Sequence, residues 1–237
     1  MSEFWVSEFE VGYYDKILEK GLIKKRGLQA NWHKITCKKL QAFTDDDINH
    51  LDYACGPGTF IGKFVMRNSI GVDISDLQIK YATSKYSNFG NFKTIEEFNF
   101  EDYQNYFEII TVAGLLEFLD LEEGKSLILK LKTLVKPNGK IVITTPNYGG
   151  AFSLMQKIVY MFSNVNYESA LKTKYHFKNL KSLDLGNEFN EVKIKKVITF
   201  GWLFSIINLD LGERINSLFE KIVNNKFGFI FLIELKK

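Results

Sequence analysis

The stretch His50-Leu51-Asp52-Tyr53-Ala54-Cys55-Gly56-Pro57-Gly58-Thr59 decides the reading of this chain. It sits where a short strand ends and a helix begins. Small residues there let the backbone turn sharply and approach a ligand closely. The helix that follows points free N–H groups at that ligand and favours an anionic group. A phosphate or a carboxylate would suit equally, so the turn alone names no ligand. Two details separate the options. A dinucleotide fingerprint places glycines as G-x-G-x-x-G. Counted from Gly56 and Gly58, the third falls on Ile61, and Gly62 is one place late. Asp52 lies just before the loop. Its carboxylate would repel a pyrophosphate and attract an ammonium or a sulfonium cation.

Outward from this loop, strands and helices alternate, the pattern of a parallel sheet with crossover helices. Strands are predicted at 50–54, 70–74, 92–95, 108–113 and 140–145, with a late pair at 192–200 and 227–235. Helices are predicted at 59–67, 75–86, 120–135, 179–185 and 211–224. Ser75 with Gln78, and Asp120 with Glu123, have the spacing of capping boxes. Pro137-Asn138-Gly139 reads as a turn. Upstream, 3–20 and 27–43 read as two helices, divided at Gly21 and Gly27. Residues 150–163 carry Phe152, Met155, Ile158, Val159 and Phe162 at helical spacing. The expected fold is α/β: a Rossmann-like, mostly parallel sheet of seven strands, helices on both faces, and an antiparallel last strand. One domain spans 1–237, divided into a helical cap (1–46), a cofactor-binding core (47–147), and an acceptor-pocket insertion with C-terminal strands (148–237).

A chain of 237 residues can bury a full core. The net charge of +3 is small, and the lysine clusters 24–26 and 193–196 stand among dispersed acids. A solvated surface accounts for them, and no nucleic-acid partner is expected. The two cysteines, Cys37 and Cys55, give neither a disulfide framework nor metal spacing, which points to a reduced, cytoplasmic protein. No signal-peptide pattern and no membrane-spanning run is read.

The loop resembles the first motif of class I S-adenosylmethionine (SAM)-dependent methyltransferases. Asp52, Ala54, Gly56 and Gly58 fall on its positions, with Ala54 where glycine is usual. The resemblance implies that this loop, Cys55 included, cradles the methionine part of SAM. Gly71-Val72-Asp73-Ile74 is a second match, with Asp73 gripping the ribose and Ile74 packing near the adenine. An acid at this place also occurs in dinucleotide enzymes. Glu96 and Glu97 follow the third strand, where relatives place an acid near the adenine amino group; an exposed acidic loop is the alternative. Thr111–Phe118 resembles the end of the fourth strand, which brings Ala113, Gly114 and Leu115 to the cofactor. Phe118 stands where many relatives carry histidine. The product would be S-adenosylhomocysteine.

Methyl transfer from a sulfonium needs alignment and a dry pocket, and a general base only when the acceptor loses a proton. Candidates on the acceptor side are His33, His176 and Tyr148, with Tyr13, Tyr14 and Asn147 as further options. His50 reads as structural. No metal is expected. The favoured activity is methylation of a small-molecule acceptor, at a hydroxyl oxygen by family frequency. The alternatives are a macromolecular acceptor, a dinucleotide-dependent oxidoreductase on a similar sheet, and a non-catalytic relative. The apolar stretches Phe152–Phe162 and Trp202–Leu211 suit core packing best. A lid or a homodimer interface comes next, and membrane docking last, because no basic face stands opposite the apolar one.

Overall fold

The computed structural model describes residues 10–44, 48–153, 155–156 and 170–237. Seven strands form one sheet: β1 His50–Tyr53, β2 Ser69–Asp73, β3 Gly90–Thr94, β4 Phe107–Ala113, β5 Val135–Pro146, β6 Glu191–Val197 and β7 Ile230–Lys236. Their order is β3-β2-β1-β4-β5-β7-β6. From β3 to β5 every pair is parallel. β7 runs antiparallel to both β5 and β6. The last strand is therefore antiparallel as expected, but it lies inside the sheet and leaves β6 at the edge. Three lysines, Lys193, Lys195 and Lys196, mark that edge strand, a common guard against edge-to-edge pairing.

Among the described residues the helices on both faces of the sheet include α1 Tyr13–Lys24, α2 Leu28–Gln41, α3 Asp76–Tyr86, α4 Leu121–Leu134, α5 Phe177–Ser182 and α6 Leu209–Val223. One face of the sheet packs Leu51, Ile110 and Ile141 against Ile128 and Leu131 of α4 and Leu180 of α5. The other packs Val142, Ile230 and Leu232 against Ile35 and Leu40 of α2 and against Trp202. The chain leaves β1 toward β2 on one side and enters β4 on the other. The strand order reverses between these two, which opens a crevice at their carboxyl ends.

Several boundaries differ from the sequence reading for physical reasons. Gly21 lies inside α1, because a Cβ there would come 2.1 Å from Ala30 Cβ where α1 crosses α2. The Asp120–Glu123 capping box is formed, with both bonds made at 2.8 and 2.9 Å. The Ser75–Gln78 box is not. Gln78 Oε1 instead accepts from Gly12 N at 2.9 Å, and Ser75 makes no side-chain cap. Pro137-Asn138-Gly139 is looped out within β5, which starts at Val135 and shifts register before Lys140. Of the helix expected at 150–163, residues 152–153 and 155–156 are helical, and 154 and 157–163 lie outside the described residues. So do residues 3–9 of the first expected helix.

A buried carboxylate is the centre of the polar contacts that fasten α1, alongside Glu19, which pairs with Lys63 and Lys85. Asp15 of α1 is fully buried. It accepts from Tyr81 Oη at 2.8 Å, Tyr86 Oη at 2.7 Å and Lys85 Nζ at 2.6 Å, all on α3. Burial pushes its pKa up, but Lys85, Tyr86 and Tyr81 outweigh that and hold it below the usual range. A depressed carboxyl stabilises the fold above its unfolded pKa, and that stabilisation is lost as pH falls through the folded value. Asp15→Ala is therefore expected to cost about 3 kcal/mol near neutrality, because it leaves Lys85 and two hydroxyls short of their partner. Denaturant titration at pH 7 and pH 3 checks this. A deficit that does not shrink at the lower pH would rule out the ionic origin.

Candidate functional site

The loop after β1 owes its shape to three alternate residues with left-handed backbone: Ala54 (φ 64°), Gly56 (φ 53°) and Gly58 (φ 71°). At Gly58 a Cβ would come 2.8 Å from Phe92 and 2.9 Å from Ala82, so glycine is required for packing as well as for φ. At Gly56 a Cβ would meet nothing within 4 Å, so open space lies over that residue. Ala54 adopts a conformation that costs an L-residue roughly 1–2 kcal/mol. The helix that follows is α-helical only at Thr59 and Phe60. It then widens into a π-helical turn, Ile61–Val65. Gly62 faces the ring of Tyr86, where a Cβ would lie 2.1 Å away. Its role is close packing, which explains a glycine one place off the dinucleotide pattern.

Asp73 at the end of β2 holds this loop. Its Oδ2 accepts from Gly56 N at 2.8 Å and its Oδ1 from Ser75 N at 2.9 Å. Burial raises its pKa, and these backbone donors oppose the rise. The Ile74 N–H acts on it in the same sense, and a carboxylate has about four acceptor positions, so acceptor capacity remains.

Asp52 at β1 is 3% exposed. Its Oδ1 accepts from Thr111 Oγ1 of β4 at 2.8 Å. Oδ2 has no hydrogen bond to any described residue. Behind Thr111 lies His50, with Nε2 2.9 Å from Thr111 Oγ1 and Nδ1 3.0 Å from Ser69 Oγ. With Asp52 ionised, Thr111 donates to it, so His50 must donate from Nε2 and accept at Nδ1 from Ser69. Burial, with Arg67 nearby, pushes His50 down to about 3, so it is neutral. Burial pushes Asp52 up to about 7, Thr111 opposes the rise, and the charge of Asp73 adds to it. Two acids thus crowd one crevice, with no cation within ion-pair distance of either among the described residues.

Ala113 ends β4 partly buried, and Gly114 (φ 63°) donates its N–H to Thr144 O at 3.0 Å. Leu115 packs at the margin of the α4-side core. Cys55 is buried in the loop, and burial with both aspartates nearby raises its thiol. Ile74 is exposed beside Asp73. Glu96 and Glu97 are exposed, and Glu97 is engaged locally, its Oε2 accepting from Thr94 N at 2.9 Å.

On α2, His33 and Cys37 are one turn apart and share a face. Cys37 lies close enough to Asp52 for that charge, after burial, to raise its thiol. The His33 ring meets Tyr14 edge-on at 4.9 Å, and burial lowers it to about 4, so it is neutral. Tyr148 packs edge-on against Phe152 at 5.1 Å. Asn147 is structural: its Nδ2 donates to Gly228 O at 2.9 Å and ties β5 to the start of β7. His176 is exposed and caps α5, with Nδ1 accepting from Asn179 N at 3.4 Å.

Sequence reasoning missed Glu117. It follows β4 in a 3-10 turn, Leu116–Phe118, and is 5% exposed. Its Oε2 accepts from Thr145 Oγ1 at 2.9 Å, at the end of β5. Burial raises it to about 7, against the bond from Thr145. Nearby, the Tyr175 hydroxyl is buried with no hydrogen-bond partner among the described residues. Burial, then Glu117 and Asp120, push it up to about 12. The signal was an acid set inside the apolar run Leu115–Leu119, where a surface residue would be out of place. Among the described residues no group of three His, Cys, Asp or Glu could hold a metal ion. No described helix is long and apolar enough to cross a membrane.

Residues 27–188 match a family model described as a methyltransferase domain. No curated protein matches the chain in sequence. Among solved structures, a SAM-dependent methyltransferase from Archaeoglobus fulgidus is 23% identical, with a TM-score of 0.57 over 87% of this chain and 93% of that one. A Thermotoga maritima protein, described as a SAM-dependent methyltransferase and possible histamine N-methyltransferase, is 12% identical. It reaches a TM-score of 0.59 over 94% and 95% of the two chains. Magnesium protoporphyrin IX methyltransferase from Synechocystis, solved with bound S-adenosylhomocysteine, is 13% identical, with a TM-score of 0.57 over 89% and 85%. With the family model spanning most of the chain and the crevice of two acids at the switch point, this protein belongs to the class I SAM-dependent methyltransferases, enzymes that use SAM as cofactor.

Proposed function

We propose that the chain methylates a small-molecule acceptor at a hydroxyl oxygen. The observation that carries this reading is Glu117, a buried carboxyl raised to about 7 at the carboxyl edge of the sheet. A hydroxyl that gains a methyl group must lose its proton, and an acceptor poised near neutral pH suits that task. SAM supplies the methyl group on a positively charged sulfur.

The chain's own residues do the rest. Ala54, Cys55, Gly56 and Gly58 form the loop that receives the methionine part, and the open space over Gly56 fits a ligand there. Asp52 offers its free oxygen to the ammonium. Asp73, already clamping the loop, directs its remaining lone pairs to the ribose. Ile74 covers the adenine, with Glu96 or Glu97 at its amino group. Ala113, Gly114 and Leu115 bound the other wall. His33 and Tyr148 face the acceptor from α2 and from the end of β5, and His176, the third candidate, packs against Gly149 next to Tyr148. His33, held neutral, can accept or donate a hydrogen bond without adding charge. The small net charge supports a small acceptor over a nucleic acid.

Thermal unfolding with S-adenosylhomocysteine and with NADPH tests the cofactor assignment. A ligand at 100 times its Kd should stabilise by about 2.7 kcal/mol. Stabilisation by NADPH alone would end the reading. Asp73→Ala is expected to weaken S-adenosylhomocysteine at least about tenfold in calorimetry, by loss of charged hydrogen bonds; unchanged affinity would move the ribose elsewhere.

Glu117 is tested by pH. Its folded pKa lies above its unfolded one, so the fold binds the extra proton below about 7 and loses that stabilisation as pH rises through this value. Glu117→Gln should therefore raise Tm more at pH 8 than at pH 5, while slowing methyl transfer. An equal change at both pH values would show that Glu117 is ionised throughout.

A further inference from the structure

Helix α6 is amphipathic in the reverse sense. Beyond Leu209, its inward stripe is small and polar: Gly212, where a Cβ would come 2.6 Å from Ser205 N, and Asn216, whose Oδ1 accepts from Thr199 N at 2.7 Å. Its outward stripe is apolar: Leu211, Ile215, Leu218 and Ile222, spaced along one helical face. The 3-10 segment Phe200–Ile206 runs antiparallel along α6, with Gly201 against Asn216 and Ser205 against Gly212. It adds Leu203 and Phe204 to the same outer layer. The tip of this hairpin is Ile206-Ile207, with Ile207 67% exposed. Leu209 N donates to Lys25 O and Gly27 N to Ser205 O, so the tip abuts the end of α1, where Leu22 and Ile23 are also exposed. Apolar area this continuous on an outer surface marks an interaction site.

The charges around it are sorted. All three acids between residues 198 and 230 turn toward α2. Asp210 pairs with Lys34 at 3.0 Å, Glu213 with Lys34 at 3.0 Å and with Lys38, and Glu220 with Lys39. Six cations fringe the apolar layer: Lys24, Lys25 and Arg26 at the α1 end, Arg214 and Lys221 on α6, and Lys226 in the turn just past it. None of them is in an ion pair among the described residues. The basic fringe stands beside the apolar stripe and partly on another element, which a search for a basic face on the same segment overlooks.

We propose that this hairpin docks the enzyme onto an anionic lipid bilayer, with α6 and the Ile206–Ile207 tip lying in the interface and the six cations at headgroup level. Apolar area bordered by unpaired cations is the combination that interfacial helices use on anionic membranes. A second copy of this chain fits less well, because a two-fold contact would bring the same cationic fringe face to face. The proposal is independent of the acceptor and of the role of Glu117.

Co-sedimentation with phosphatidylcholine–phosphatidylglycerol vesicles, against phosphatidylcholine alone, tests it. The wild-type chain is expected to partition onto the mixed vesicles and to be released by salt. Replacing Lys24, Lys25 and Arg26 together by Gln should weaken binding by about fivefold per cation removed. Ile207→Asp with Ile222→Asp should abolish it, while the thermal shift with S-adenosylhomocysteine persists. The triple Gln variant, in an exposed turn, keeps the test valid if the Asp variant fails to fold. No partition onto the mixed vesicles, or equal partition onto both kinds, overturns the proposal. So does a dimer in light scattering that Ile222→Asp dissolves, which would assign the surface to a second copy.

Discussion

Asp73 reaches across the end of the sheet to take the N–H of Gly56, and the loop after β1 has its shape because of that bond. The loop turns through three left-handed residues; Cys55 N and Gly58 N find backbone carbonyls, which leaves Gly56 N to be satisfied. A carboxylate anchored by β2 supplies the missing partner. The same side chain takes Ser75 N, and so fixes the entry to α3. Through α3 the effect extends to the cap, because Tyr81, Lys85 and Tyr86 on that helix hold Asp15 of α1. The loop after β1, α3 and α1 thus share one chain of polar contacts.

The electrostatics of the crevice follow from where the two strands end. β1 and β2 are neighbours, so the acids at their ends, Asp52 and Asp73, are brought together. Each raises the cost of ionising the other, and Asp52 stands near neutrality as a result of burial and that repulsion. A cationic ligand relieves both penalties, whereas a pyrophosphate would add to them. The polar path from Asp52 through Thr111 and His50 to Ser69 crosses β4, β1 and β2 and holds the first carboxylate in one orientation.

Much of this was legible in the order of residues. Alternating apolar runs and turns set out the parallel sheet, and the acids at 52 and 73 fall side by side at the ends of its first two strands. Less legible were features that depend on contacts distant in sequence. Gly21 reads as a helix break, but its neighbour Ala30 across the α1–α2 crossing makes it a packing glycine. Gln78 has cap spacing, but Gly12 N competes for it and wins. Glu117 gained its interest from burial, which no spacing rule reports. His176 looks chemical by residue type, yet its ring nitrogen satisfies a helix end. In α6 a helical period was visible, but not that its apolar side faces outward, because that depends on the ion pairs with α2.

The position of β7 bears on how the chain is made. The last strand fills a gap between β5 and β6, and Lys237 closes the seam through Val135 O at 2.7 Å and Lys132 O at 3.0 Å. During synthesis domains acquire structure from the amino end onward. Here residues 230–236 follow β1–β5 by more than eighty residues, so the flank of β5 stays open until they are made. That hydrogen-bonding flank is closed only by an insertion between two strands already laid down.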